Sequence, residues 1–449
     1  MAYGGGMWTS QNKVLPGAYI NFTSKSKAQA ALSDRGIVCV PYELGWGAES
    51  VMQLLTADDF ISKSFELFGY PYDADELIPL RELFRHATKA YLYRLGTGAQ
   101  KAACTYATAV YGGTRGNDIY IKISINPDLS TIPDEGDTET EAVYVFDVET
   151  YISDTLVDAQ TVSSASELHD NSFVTFIKTV TLAATVKTPL TGGTNATVTG
   201  TDHQAFLNAA ESYSYNALCC PSSDSTTKAL YVNFTRRMRD EVGAKFQTVV
   251  YRSDADYEGI ISVDNTVTAA GASAYSLVYW VCGAQAGCSV AGSLTNAAYD
   301  GELAVNTNYT QTELEQGIAA GKFMLHNANG TVRVLEDINT LITYTDEKGD
   351  VFGSNQTVRV CDQIANDIAV LFTEQYLGKV PNDASGRAAL WNDAIILMNE
   401  LKMQRAIEDF DSDAVTVNVG NDRKSVSLTM SGISVNNAMT KLYMSVVIA

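Results

Sequence analysis

Apolar and polar positions along the chain divide it into short elements. After the turn pair Pro16-Gly17, Ala18, Ile20 and Phe22 alternate with Tyr19 and Asn21, which predicts a short strand. Gly36–Val40 and Ala90–Leu95 read as further strands, and residues 56–68 and 76–87 between them as helices. Thr56 precedes Asp58 and Asp59, the pattern of an N-cap followed by acids in the first turn. From about residue 99 the helical period disappears. Asp118–Ile125, Ala142–Thr150 and Phe173–Thr179 are strand-like runs between turn-rich segments, which suggests an inserted β-sandwich. Thr188–Gly200 is Thr/Gly-rich and reads as a linker.

Beyond it, helices and strands alternate. Asp202–Tyr213 and Ser225–Val242 are expected to be helical, as is a segment starting near Thr310. Ala217–Cys220 and Lys245–Tyr251 are expected strands, while Ala270–Cys282 fits either state. This alternation implies an α/β layer with a largely parallel sheet. The last hundred residues carry the clearest pattern. Ile364, Ile368, Leu371 and Phe372 mark one helical face, ended by Leu377-Gly378. A second helix, capped by Asn382 or Ser385, presents Leu390, Trp391, Ala394, Ile395, Met398 and Leu401. Strands Val415–Val419 and Ser425–Met430 follow, then an apolar strand at 442–448.

Composition narrows the function classes. At 449 residues the chain exceeds the size of a single core, and 46% apolar residues give ample material to bury. The formal net charge of −21 opposes binding to phosphate backbones or anionic lipid, so nucleic acid is not expected as a partner. The most apolar stretch, Leu277–Cys282, is followed at once by Gly283 and falls far short of the ~20 residues a membrane helix needs, so membrane insertion is not expected. Residues 99–200 hold five Lys/Arg against 13 Asp/Glu, an acidic and solvated surface. The start, Met-Ala-Tyr-Gly-Gly-Gly-Met-Trp, has no basic segment followed by an apolar one, so a signal peptide is not expected and synthesis in the cytoplasm is.

Candidate chemistry is sparse. Seven cysteines show no Cys-x-x-Cys, and Cys39, Cys219 and Cys282 read as small buried hydrophobes. Four scattered histidines lack metal-ligand spacing. Gly96-Thr-Gly98 lacks the phosphate-loop spacing, and no Gly-x-Ser-x-Gly occurs. His203 is the best placed candidate base, although a surface histidine is the plainer reading. No catalytic residue, metal or cofactor is therefore assigned. An α/β hydrolase-like enzyme and a strand-exchanging shell protein remain the alternatives to an assembly protein. Apolar strands near both ends point to assembly, because an unpaired strand can add to a neighbour's sheet.

Longer stretches are familiar. Val358-Arg-Val-Cys-Asp-Gln-Ile-Ala-Asn-Asp-Ile368, Tyr376-Leu-Gly-Lys-Val-Pro-Asn-Asp383, Gly386-Arg387 and Ala438-Met-Thr-Lys-Leu-Tyr-Met-Ser-Val446 resemble the tail sheath proteins of contractile phage tails. So do Leu15–Phe22, Arg35–Val38, Tyr91–Arg94, Gly112–Asn117 and Asp337–Leu341, in order, over essentially the whole chain. The stretches look like those of sheaths from Gram-positive phages, prophages and phage-tail-like bacteriocins.

The resemblance implies an α/β plus all-β, multi-domain tail sheath architecture: an inserted β-sandwich, a central subtilisin-like α/β domain, an α+β C-terminal domain and extended terminal strands. The expected division is 1–22 N-terminal arm, 23–98 first part of the α/β core, 99–185 outer β-sandwich, 186–345 central domain, 346–435 tube-proximal domain and 436–449 C-terminal arm. Tyr19, Ile20, Asn21 and Phe22, and Leu442, Tyr443, Met444, Ser445, Val446 and Val447, are the expected inter-subunit arms. Lys379, Arg387, Lys402 and Arg405 are candidates for facing the tube. The implied partners are further copies in a six-fold helical polymer, the inner tail tube protein, and baseplate and tail terminator proteins, in a virion tail or phage-tail-like particle.

Overall fold

The computed structural model describes residues 32–131, 143–269 and 272–448. Residues 37–94 build one side of a sheet: β1 (Ile37–Tyr42), β2 (Met52–Thr56), α1 (Ala57–Phe68), α2 (Ile78–Phe84) and β3 (Lys89–Arg94). Thr56 caps α1 as expected. Its hydroxyl accepts from the Asp59 backbone, and the Asp59 carboxylate accepts from the Thr56 backbone, forming a capping box.

The chain then leaves for a β-rich unit: β4 (Ala107–Ala109), β5 (Ile119–Ile125), β6 (Phe146–Ile152), β7 (Thr155–Val162), β8 (Val174–Phe176) and β9 (Thr185–Pro189). β7-β6-β5-β9 form an antiparallel sheet, and β4-β8 a separate ribbon. β5 and β6 alternate buried and half-exposed residues, the pattern of a sheet with one packed face. Trp46, in the loop after β1, is fully buried in this unit's core. Arg94, at the end of β3, is also buried and donates to the carbonyls of Leu44, Gly47 and Gly112. These contacts tie the unit to the main sheet. The expected linker at 188–200 is shorter than predicted. β9 runs to Pro189, and Thr191 and Thr194 exchange backbone hydrogen bonds with Ala103 and Gln100. A Thr/Gly-rich stretch can still supply ladder partners, which composition does not reveal.

The main sheet is completed by α3 (Gly200–Ala210), β10 (Ala217–Cys220), α4 (Ser225–Arg236), β11 (Gln247–Tyr251), β12 (Ile260–Val263), α5 (Leu277–Gly287), α6 (Gln311–Ala319) and β13 (Lys322–Phe323). Its order is β13-β12-β11-β10-β1-β3-β2, parallel except for β2. α2 and α5 cover one face, and α3 and α4 the other, which explains why β10 and β11 are buried at every residue. Of the ambiguous Ala270–Cys282 run, Leu277 onward is helical as part of α5, whose residues 277–286 are all buried, while 272–276 form turns and 270–271 lie outside the described residues. Gly283 lies inside this helix. A Cβ there would come within 2.2 Å of the Leu83 carbonyl on α2, so close helix packing demands glycine.

A short hairpin, β14 (Leu325–Ala328) and β15 (Thr331–Val334), leads to the last unit. This holds α7 (Asn355–Leu371), α8 (Ala384–Met403), and a two-stranded sheet of β16 (Val415–Val419) and β17 (Val426–Met430). α7 continues into one π-helical turn at Phe372–Tyr376. α8 is capped by Asp383, whose carboxylate accepts from Gly386 N, and not by Asn382 or Ser385. Asn382 instead donates to the Ser425 carbonyl at the start of β17.

Candidate assembly surfaces

The last unit concentrates the features that could join one copy to another. Residues 436–448 form no strand in this chain. Leu442, Tyr443, Met444, Val446 and Val447 stand exposed, Leu442 at 87% and Val447 at 91%. The alternating apolar pattern suits a strand, but a strand needs a ladder partner, and none is found among the described residues. The expected N-terminal arm residues, Tyr19, Ile20, Asn21 and Phe22, lie outside the described residues. Among the described residues the β16–β17 sheet pairs only within itself. Two strands are marginal alone, and here they lean on α8, where Trp391 Nε1 donates to the Val415 carbonyl at 2.7 Å. Near the start of α8 a cleft is lined by Phe372, Tyr376, Leu377, Val380, Leu390 and Val426.

The four tube-facing candidates do not form one patch. Lys379 and Arg387 sit at the N-terminal end of α8, where Lys379 reaches the Glu374 carbonyl and Arg387 donates to Asn382 Oδ1 at 3.0 Å. Lys402 lies 15 residues further along the helix, about 22 Å away by its rise, and pairs with Asp409 at 2.5 Å. Arg405 closes α8 with a left-handed backbone (φ 63°), and its carbonyl accepts from Asn436 Nδ2. Its backbone thus has a local task separate from its charge.

α7 differs most from the expectation. Its predicted apolar residues Ile364 and Ile368 are only half-buried, whereas Asn355, Gln356, Thr357, Arg359, Asp362, Gln363 and Asp367 are buried. Each meets a partner on the α/β body or on the chain segments that flank the unit. Arg359, 1% exposed, donates to Gln285 Oε1 at 2.6 Å and pairs with Asp337 at 3.2 Å. Arg239 forms a two-pronged bridge to Asp362 at 2.6 and 2.8 Å. Burial works against the Arg239 charge, but Asp362 outweighs it and raises the guanidinium pKa above its ordinary value. Arg35 lies between Cys288, Gln285 and Gln363, and burial, with Arg359 nearby, lowers its pKa to about 10. The sequence reading missed this polar face because it searched for apolar periodicity alone. The same 3.6-residue spacing in Gln356, Gln363 and Asp367 was the available signal.

His203 is not a surface histidine. It is 5% exposed, with Nδ1 2.8 Å from Tyr231 Oη, and burial lowers its pKa. The α3 side that carries it packs onto α4, so the residue belongs to a core contact. Cys39, Cys219 and Cys282 are buried as expected, and Cys220 with them. Among the described residues, no group of three or more His, Cys, Asp or Glu could hold a metal ion, and no helix is long and apolar enough to cross a membrane.

A mixed α/β, multi-sheet chain with an unpaired apolar end has the form of an assembly subunit. Comparison with known proteins gives it a family. Residues 35–95 match the domain III N-terminal region of a tail sheath protein, 196–340 the phage tail sheath protein central domain, and 347–449 the phage tail sheath C-terminal domain. The phage-like element PBSX protein XkdK of Bacillus subtilis is 31% identical over 481 residues, covering 99% of each chain. The sheath tail protein of Desulfitobacterium hafniense superposes with a TM-score of 0.80 at 34% identity, covering 95% of this chain and all of that one. That of Listeria innocua gives 0.75 at 32% identity, covering 92% and 95%. The chain belongs to the phage tail sheath family, a family of structural tail proteins and not of enzymes.

Proposed function

We propose that this chain polymerises in six-fold helical rings around an inner tail tube, and that the rings contract to drive the tube through a target envelope. The observation that carries this reading is the exposed apolar arm at 439–448 in a unit whose sheet, among the described residues, has two strands. Leu442, Met444 and Val446 alternate with Tyr443, Ser445 and Val447, so one face of an added strand can bury while its backbone pairs. The acceptor is the β16–β17 sheet of another copy, with Tyr19–Phe22 as the second donor. Each added strand is weak by itself, but repetition in every subunit makes a connected mesh through multivalency. The work of contraction comes from contacts that exist only in the contracted lattice.

Further assignments belong to the same proposal. The acidic unit around β4–β9 lies outermost, as an inserted β-sandwich. The seven-stranded sheet is the subtilisin-like core. The α7–α8 unit lies toward the tube, with Lys379, Arg387, Lys402 and Arg405 as candidate contacts. Baseplate and tail terminator proteins cap the polymer ends.

The test is electron microscopy of the expressed chain with and without residues 439–449. The full chain is expected to form tubes, and the truncated chain to remain a folded monomer. Normal contractile tubes from the truncated chain would refute the arm assignment. Flat lattices from the full chain would favour a shell protein.

A further inference from the structure

Both ends of the described body converge on one stripe of α7. On the C-terminal side, Gln356 Nε2 donates to the Asn436 carbonyl at 2.8 Å, and Gln356 Oε1 accepts from Ala438 N at 2.9 Å. One side chain thus holds the backbone at two positions, as a neighbouring strand would. Thr357 Oγ1 meets Asn437 Oδ1 at 3.2 Å, and Asn436 N donates to the Ala406 carbonyl. Beyond Ala438 this support stops, and Met439 is fully exposed.

On the other side, Ser33 N and Oγ donate to Asp367 Oδ1 at 3.2 and 2.6 Å, and Gln363 Nε2 donates to Ser33 Oγ at 2.9 Å. Leu32 N donates to Glu400 of α8 at 3.0 Å. Leu32 and Ser33, the first described residues, are therefore held at this seam. At 100° per residue, positions 356, 363 and 367 lie within about 40° of each other around α7. Gln356 and Asp367 are about 16 Å apart along the axis. Both are buried and fully engaged, at 3% and 4% exposure.

We infer that α7 is the strut joining the roots of the two arms, with Gln356 and Asp367 as positioning residues that fix where each arm leaves the body. The inference rests on the arm reading above. A pull on the C-terminal arm enters α7 at its first turn and reaches the Ser33 root along the same helix, without crossing the α/β sheet. The clamp also pre-orders residues 436–438, so an arm docking on another copy does not have to order them at the moment of binding. Without Gln356, about three residues regain backbone freedom, and assembly should weaken in proportion.

The test compares Gln356→Ala, Asp367→Asn and the 439–449 deletion in the full chain, measuring critical concentration for polymerisation and hydrogen exchange in the monomer. Wild-type monomer should show slow exchange at Asn436 and Ala438 and unprotected exchange from Met439 onward. Gln356→Ala should remove the Ala438 protection, leave the core amides of β10 and β11 unchanged, and raise the critical concentration at least tenfold. Asp367→Asn keeps one acceptor for Ser33 and should have a smaller effect. If the deletion polymerises normally, the arm reading itself fails. If the deletion blocks assembly while Gln356→Ala assembles like wild type, the arms stand and the strut inference is overturned. Should Gln356→Ala misfold, the wild-type exchange profile decides: a missing step at residue 438 overturns the inference.

Discussion

Replacing Asp362 by alanine tests how the α7 unit is held to the body. Asp362 and Arg239 are 10% and 5% exposed at the side chain, and their bridge spans 123 positions of sequence, from the turn after α4 to the middle of α7. Removing one member of a buried pair leaves the other charge without compensation, which costs about 3–5 kcal/mol. Arg239 keeps one hydrogen bond, to the Phe246 carbonyl at 2.6 Å, so the lower end applies, about 3 kcal/mol. A multi-unit chain need not unfold in one step, so the assay is native-state hydrogen exchange of the α7 amides. At about 1.4 kcal/mol per tenfold, exchange through opening of the seam should accelerate by about two powers of ten. The double change Arg239→Met with Asp362→Leu removes both charges and should recover all but about 1 kcal/mol. If Asp362→Ala changes α7 exchange by less than threefold, or the double variant is as damaged as the single one, the bridge does not hold the seam.

Four further outcomes are expected. Thr56→Ala removes an N-cap and should destabilise α1 by about 1 kcal/mol, seen as faster exchange in residues 57–60. In the same capping box the hydrogen bond from Lys63, helped by Thr56, holds Asp59 at about 2, so its contribution is complete above the usual carboxylate range and is lost as pH falls toward 2; an acid titration should become flatter in Asp59→Asn. The His203 pKa is lowered by burial, so the native imidazole stays neutral while the unfolded chain takes up a proton near about 6.5. Stability should therefore fall as pH drops below that value, and His203→Gln should remove this slope. Thiol labelling of the native chain at neutral pH should modify Cys104 first. Burial raises Cys288, and pushes Cys361 to about 11, while Cys39, Cys219, Cys220 and Cys282 should react only on unfolding.

Sequence spacing alone specified the local elements wherever one chemical rule dominated. Ala217–Cys220 and Val415–Val419 occur with the predicted bounds, because a short β-branched or apolar run between turn residues has few alternatives. The Thr56 cap and the helix start at Thr310 were equally plain, since each hydroxyl and the acid three positions later satisfy local backbone groups. Family-specific stretches spread over the chain also carried the family assignment. Tertiary structure decided what depends on distant partners. The run at 270–282 could pack as strand or helix until α2 supplied a groove that admits Gly283. His203 is buried only because α3 docks on α4. The polar face of α7 looks solvent-seeking by composition, yet it is buried because Gln285, Asp337, Arg239 and the two arm roots meet its hydrogen-bonding groups. The apolar strand pattern at 442–448 stays exposed for the opposite reason: the sequence supplies the alternating side chains, but among the described residues no strand offers them a ladder.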